Sequence, residues 1–359
     1  MAATVREKKV VFPRMAHYNA AFKYFVEQGL GATYIMQPEM TRRTLELGTR
    51  YSPDYVYAPF KHTLGSLIEG LECGANVILA PGGPCRLSYY GELEKQILQD
   101  LGYEFEMIDI AEMRYAKVKD YPKLMRKLNP KLSMPKMLAA GAETIRMMQH
   151  IEEIEALYHQ NLGFEVEEGS YKKAFTRFLH AMEQAQHGSD IRKAYSEAKD
   201  TMTHLPVKKP DHPLRVGIIG EFYTVMDAFS NLDLEEKLAK MGTEVYRWMT
   251  VTHRTVGYNE NNLLASLGDY SKYVMGPTTV GTLHATLDYA QRGFDGIIHV
   301  KSFGCTPEID AIPAVRTIAS DYKVPVLFLS YDSQTSDTGL NTRLEAFYDM
   351  ISMRKETLR

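Results

Sequence analysis

Gly296-Ile297-Ile298-His299-Val300-Lys301-Ser302-Phe303-Gly304-Cys305-Thr306-Pro307-Glu308 is the stretch whose reading decides the fold. A short apolar run enters a tight loop of Gly, Cys and Pro, and a helical pattern follows. Far earlier in the chain, Val77-Ile78-Leu79-Ala80 runs in the same way into Gly82-Gly83-Pro84-Cys85-Arg86 and then into another helical pattern. A strand that feeds a helix through a Gly-rich turn is the repeating unit of a parallel sheet. A cysteine on such a turn sits at a helix N-terminus, where the macrodipole favours thiolate. Thiolate is the form that binds soft metals.

Outward from these loops the same grammar repeats. Strands are expected at residues 9–12, 32–36, 77–80 and 103–108, and helices at 18–28, 39–47 and 91–101. Residues 55–58 read as a brief extended run ending at Pro59, with a helix from there to about Cys73. From about 117 to 205 β-branched runs nearly vanish, and helices are expected at 137–158, 172–186 and 190–203. A second α/β section opens at Leu214-Arg215-Val216-Gly217-Ile218-Ile219, with further strands at 244–246, 296–300 and 324–329. Its helices are expected at 234–241, 281–292, 309–320 and 342–353. The expected fold is α/β: two doubly wound, parallel-sheet (Rossmann-like) lobes with a helical insertion between them. The expected divisions are 1–116, 117–209 and 210–359, with a linker at 206–213 and a cleft between the lobes.

The bulk properties narrow the function. The 359 residues suffice for two or more cores. A net charge of -3, from 42 basic and 45 acidic residues, argues against a nucleic-acid surface. No apolar stretch approaches the roughly 20 residues that span a bilayer, and residues 1–11 lack the apolar core of a signal peptide. Three cysteines in a chain this long exclude a disulfide framework. A cytoplasmic, reducing location is expected.

In an open parallel sheet, ligands bind outside the carboxyl ends of the strands. Three loops qualify: Tyr57-Ala58-Pro59-Phe60-Lys61, residues 81–86, and residues 301–308. If the lobes face one another, Cys85 and Cys305 can share a metal; the alternative is two small buried hydrophobes. Cys73 ends a helix ahead of the strand that Cys85 follows, so it is expected at the opposite sheet edge as a structural thiol. Glu221, at the carboxyl end of a strand, is either a site carboxylate or a capping acid. Lys61 is either a solvated lysine or a contact for an anionic ligand. His62 lies beside the first of these loops, and His299 reads as a core histidine or a ligand. Gly217-Ile218-Ile219-Gly220-Glu221 lacks the third glycine of a dinucleotide fingerprint, and no phosphate-binding P-loop or nucleophile elbow is present.

Taken together, several motifs resemble the 2-hydroxyacyl-CoA dehydratase superfamily, in its short single-chain branch of "CoA protein activase" or acyl-CoA dehydratase-related proteins. They are Ser52-Pro53, Ala58-Pro59-Phe60-Lys61, Leu64-Gly65, Gly82-Gly83-Pro84-Cys85-Arg86 and Tyr89-Tyr90-Gly91 in the first lobe. In the second they are Gly220-Glu221, Asn231, Asp295-Gly296, Phe303-Gly304-Cys305-Thr306-Pro307-Glu308 and Thr342-Arg343-Leu344-Glu345-Ala346-Phe347. The resemblance runs over nearly the whole chain.

The resemblance implies two α/β lobes holding an oxygen-sensitive [4Fe-4S] cluster. It also implies a separate ATP-hydrolysing activator with its own iron–sulfur cluster, an acyl-CoA or small-molecule substrate, and a homodimer or heterodimer. It places Cys85 and Cys305 on two metal-ligand positions, with Glu221 and Lys61 as candidate catalytic residues. Where relatives carry a third cysteine this chain has Tyr57-Ala58, and Asp332-Ser333 replaces a common Asp-Glu. A double-cubane centre like that of some relatives needs about twice as many thiols. Three readings stay open: a cluster with a non-cysteine ligand such as Tyr57, a cluster shared between subunits, or a subunit without one. The implied function is ATP-coupled low-potential reduction or radical dehydration. The alternative is a non-catalytic, cluster-poor paralogue acting as electron carrier, scaffold or partner subunit.

Overall fold

A computed structural model of the chain describes residues 7–80, 87–109, 125–126 and 128–357. The chain forms two compact units. The first comprises Met1–Val56, Phe60–Gln149 and Leu179–Ala194; the second comprises Tyr57–Pro59, His150–Phe178 and Tyr195–Arg359.

The first unit holds four parallel strands: β1 (Lys9–Val11), β2 (Thr33–Tyr34), β3 (Val77–Ala80) and β4 (Glu106–Asp109), in the order β2-β1-β3-β4. All four residues of β3 are buried, as expected for a parallel strand covered on both faces. Val10, Val77, Leu79 and Ile108 pack with Val26 and Leu30 into its core.

The second unit repeats this plan. Its strands β5 (Leu214–Gly220), β6 (Thr243–Arg247), β7 (Gly296–Ser302) and β8 (Val326–Tyr331) are parallel and ordered β6-β5-β7-β8. Val280, Leu283, Leu287, Ile297, Val315 and Ile318 form the centre of its core. Both sheets therefore share one strand order, and β3 and β7 occupy equivalent places in it. The α/β fold with two all-parallel sheets is the one expected from the alternating pattern.

The helix-rich stretch folds as helices Met134–Asn161, Ser170–Gln184 and Gly188–His204. Residues 206–208 do not hang free. Val166 donates its N–H to Pro206 O, and Lys208 donates its N–H to Phe164 O at 2.7 Å.

Elsewhere the boundaries move. β7 runs two residues past the expected end because Lys301 and Ser302 continue the ladder to Ser330 and Tyr331. The segment 55–58 is not a strand: a helix starts at Ala58 and runs to Glu72. Pro59 suits its first turn, where a missing N–H costs no hydrogen bond. Helices Phe222–Met226 and Glu260–Ser266 carry no strong periodic signal and were not expected.

Candidate functional site at the switch point of the second sheet

In the second sheet the chain leaves β5 toward β6 on one side and returns to β7 on the other. The loops that follow β5 and β7 therefore flank the point where the strand order reverses, the usual ligand crevice of an open α/β sheet. Glu221 follows β5, and Phe303-Gly304-Cys305 follows β7.

Gly220 sets Glu221 in place. Its φ is +130°, and an added Cβ would lie 1.8 Å from Val300 O, so only glycine fits this approach of β5 to β7. The next residue continues the ladder, Glu221 N–H donating to Val300 O at 2.9 Å. Glu221 caps the helix Phe222–Met226 and is 3% exposed. Its carboxyl accepts the N–H groups of Tyr223 and Thr224, both at 2.8 Å, and the hydroxyls of Thr224 and Tyr57, both at 2.5 Å. Burial pushes the carboxyl up from its ordinary value, while Thr224 and Tyr57 pull it back by favouring the ionised form. Glu221 is thus a capping acid, one of the two roles its position in the sequence allows.

Tyr57 was expected on the rim of a strand in the first lobe. Instead Tyr57–Pro59 groups with the second unit, where the phenol donates to Glu221 and the Ala58 N–H donates to the buried Ser302 Oγ at 3.3 Å. The structure thus brings two candidate residues, Tyr57 and Glu221, into direct contact across 164 positions of sequence.

Cys305 occupies the N-cap position of the helix Thr306–Asp321, as its strand–loop–helix context predicted. Gly304, at φ +79°, makes the turn, and the Cys305 N–H closes it on Ser302 O at 3.1 Å. Cys305 is partly exposed, and its side chain makes no capping bond. One turn on, Glu308 is fully buried. It accepts from His299 Nε2 at 2.8 Å, from Thr278 at 2.5 Å and from Thr282 at 3.1 Å. His299 is thus a core group tied to the Cys305 helix. Sequence reasoning passed over Lys301, although a lysine inside an otherwise apolar run was the available signal. It lies on β7 with 8% of its surface exposed.

Lys61 sits in the first unit, 6% exposed, and donates to the Asp54 carbonyl at 3.3 Å. Beside it, His62 is held down at about 4 by burial and by the Lys61 charge. Cys85 lies outside the described residues. Cys73 is exposed just past the helix Ala58–Glu72, on the chain leading into β3.

The donor set can be weighed against an iron–sulfur cluster. Among the described residues no group of three or more His, Cys, Asp or Glu could hold a metal ion. The described switch-point loops offer one thiol, Cys305, and the Tyr57 phenol is already engaged by Glu221. With Cys85, outside the described residues, the chain has two candidate thiols, fewer than the three that the resemblance implies. Among the described residues, Cys305 and Tyr57 do not complete a cluster's ligand set. Among the described residues no helix is long and apolar enough to cross a membrane.

No curated protein matches the chain. A family model does, over residues 121–351, more than half of the chain, taking in β5 to β8, Glu221, His299, Lys301, Cys305 and Glu308. The chain belongs to the family described as 2-hydroxyglutaryl-CoA dehydratase, D-component.

Proposed function

We propose that this chain is an iron–sulfur component of a 2-hydroxyacyl-CoA dehydratase-type system, taking part in ATP-coupled low-potential reduction or radical dehydration of an acyl-CoA-like substrate. The observation that carries the reading is the Cys305 turn at the switch point of the second sheet, inside the region matched by the dehydratase family. Cys305 and Cys85 are the thiolates offered to the metal, and the missing ligand comes from outside the three cysteines of the chain. The electron comes from a separate ATP-hydrolysing activator, consistent with the absence of a phosphate-binding P-loop from the sequence.

The chain's own contribution is positional and electrostatic. Glu221, with its carboxyl raised by burial, keeps a proton to higher pH than an exposed glutamate. Tyr57 is the group through which such a proton reaches the surface, because its ring is only half-buried and its hydroxyl touches Oε1. Lys61 is proposed to bind an anionic part of the substrate.

One observation favours a second reading, a cluster-poor paralogue acting as a partner subunit. The Tyr57 hydroxyl at the third-ligand position is spent on Glu221, and a phenolate ligand would have to give up that bond. Anaerobic isolation with iron and sulfide quantification separates the two. The first reading expects both elements bound and lost in air, whereas a chain free of both under strict anaerobiosis supports the second.

A further inference from the structure

We propose that the outer edge of β8 is a docking site for an extended acidic segment of another polypeptide, which joins the second sheet as a further strand. β8 ends the order β6-β5-β7-β8, so among the described residues one of its sides has no strand beside it. The hydrogen bonds to β7 fix which residues face that side. Ile297 N–H donates to Pro325 O at 2.9 Å and Phe303 N–H donates to Tyr331 O at 2.7 Å, so residues 325, 327, 329 and 331 turn their backbone groups to β7. In a parallel ladder the residues between them, Val326, Phe328 and Ser330, turn theirs outward. Among the described residues these outward groups have one partner, the Arg343 side chain, whose Nη2 donates to Phe328 O at 2.6 Å. Val326 and Phe328 are partly exposed and Ser330 is exposed.

The charge beside this edge selects the partner. Arg316, on the helix that precedes β8, lies over the Phe328 ring with its guanidinium carbon 5.3 Å from the centroid. Arg343, on the helix that follows β8, holds Phe328 O. Both side chains are exposed, and among the described residues neither forms an ion pair. Phe328 is the middle one of the outward residues. A second copy of this chain paired edge to edge about Phe328 would therefore bring the arginines of both copies together, and like charges opposed across strands are destabilising. The two arginines thus guard the edge against self-pairing, as charges on edge strands commonly do, while leaving it complementary to carboxylates. An extended segment with acidic side chains supplies backbone partners for Val326, Phe328 and Ser330 and carboxylates for Arg316 and Arg343. The bond from Arg343 to Phe328 O is then exchanged for one from the arriving strand. The edge belongs to the second unit alone, and the inference does not rest on the dehydratase reading.

The test uses the full chain, handled anaerobically, and two short labelled synthetic peptides, one alternating valine with glutamate and the other alternating valine with lysine. Fluorescence anisotropy should show the glutamate peptide bound more tightly than the lysine peptide, with an affinity that falls as salt rises. Hydrogen exchange at the amides of Val326, Phe328 and Ser330 should slow in the complex. Arg316→Gln combined with Arg343→Gln should weaken binding of the glutamate peptide by about threefold or more. Arg316→Glu combined with Arg343→Glu should reverse the preference in favour of the lysine peptide, a gain that no loss of folding produces. Both double variants should keep the circular dichroism of the parent, because both side chains are exposed. No binding of the glutamate peptide, equal binding of the two peptides by the parent, or a preference that survives the charge reversal overturns the proposal. So does binding without slower exchange at the three amides. Slowing of those amides in the parent alone as its concentration rises also overturns it, and assigns the edge to a second copy of the chain.

Discussion

Removing one oxygen from Tyr57 tests the junction of Tyr57 and Glu221. In Tyr57→Phe the carboxyl keeps three of its four donors, the Tyr223 and Thr224 N–H groups and the Thr224 hydroxyl. A hydrogen bond to a charged group contributes roughly 1.5–3 kcal/mol. Tyr57 is only half-buried, so the loss should fall at the lower end, about 1.5 kcal/mol at neutral pH. The sign of the pH dependence follows from the Tyr57 bond, which favours the ionised carboxylate and draws Glu221 down against burial. Deleting it raises the folded-state value further, so the variant's deficit is fully present above the Glu221 value and shrinks as the pH falls through it. The single tryptophan, Trp248, lies in the second unit and reports its unfolding without interference. Urea titrations followed by Trp248 fluorescence from pH 4 to 8 should show parent and variant converging at the acid end. A deficit that is independent of pH, or absent throughout, would refute the reasoning.

Gly220→Ala should destabilise the second unit by about 3 kcal/mol or more, because the new Cβ meets the Val300 carbonyl at 1.8 Å and φ is +130°; chemical denaturation checks this. Arg247→Met should cost about 3–5 kcal/mol, since it leaves buried Glu155 and Glu235 without their shared guanidinium, which contacts Glu235 at 2.5 Å. That loss should appear in the Trp248 unfolding curve. For His62, the folded value of about 4 against an ordinary 6.5 means that only the unfolded chain takes up the proton between those limits. Stability therefore falls on acidification from pH 6.5 to 4 by about 3 kcal/mol, a slope that should be absent in His62→Phe measured by calorimetry. Cys73→Ser should leave both folding and iron content unchanged, as iron analysis and circular dichroism will show.

The parallel sheets were legible because the signal is local. Val77–Ala80 and Gly296–Val300 are apolar runs closed by Gly/Pro turns, and buried strands leave little else for such runs to be. Cys305 at a helix N-cap follows from the same pattern. What escaped was either polar or distant. Lys301 and Ser302 hid the end of β7 because a parallel ladder accepts any side chain that finds an environment, and periodicity counts only apolar ones. Pro59 was read as ending an extended run, but in the first turn of a helix proline needs no partner, so the segment became Ala58–Glu72. The bond from Tyr57 to Glu221 spans 164 residues and rests on tertiary placement, for which neither neighbourhood carries a mark. His299 is buried in the core, one of the two roles its strand position allows; its tie to Glu308 depends on the packing of strand against helix, which the sequence does not display.

The central proposal is that Cys305 and Cys85 hold iron together while Cys73 does not. Iron and acid-labile sulfide per chain, measured after anaerobic purification or reconstitution of the parent, Cys305→Ser, Cys85→Ser and Cys73→Ser, tests it directly. The account predicts bound iron and sulfide in the parent and in Cys73→Ser, with both lost from Cys305→Ser and from Cys85→Ser while circular dichroism stays unchanged. Iron content equal in all four proteins, or absent from the parent, would contradict it.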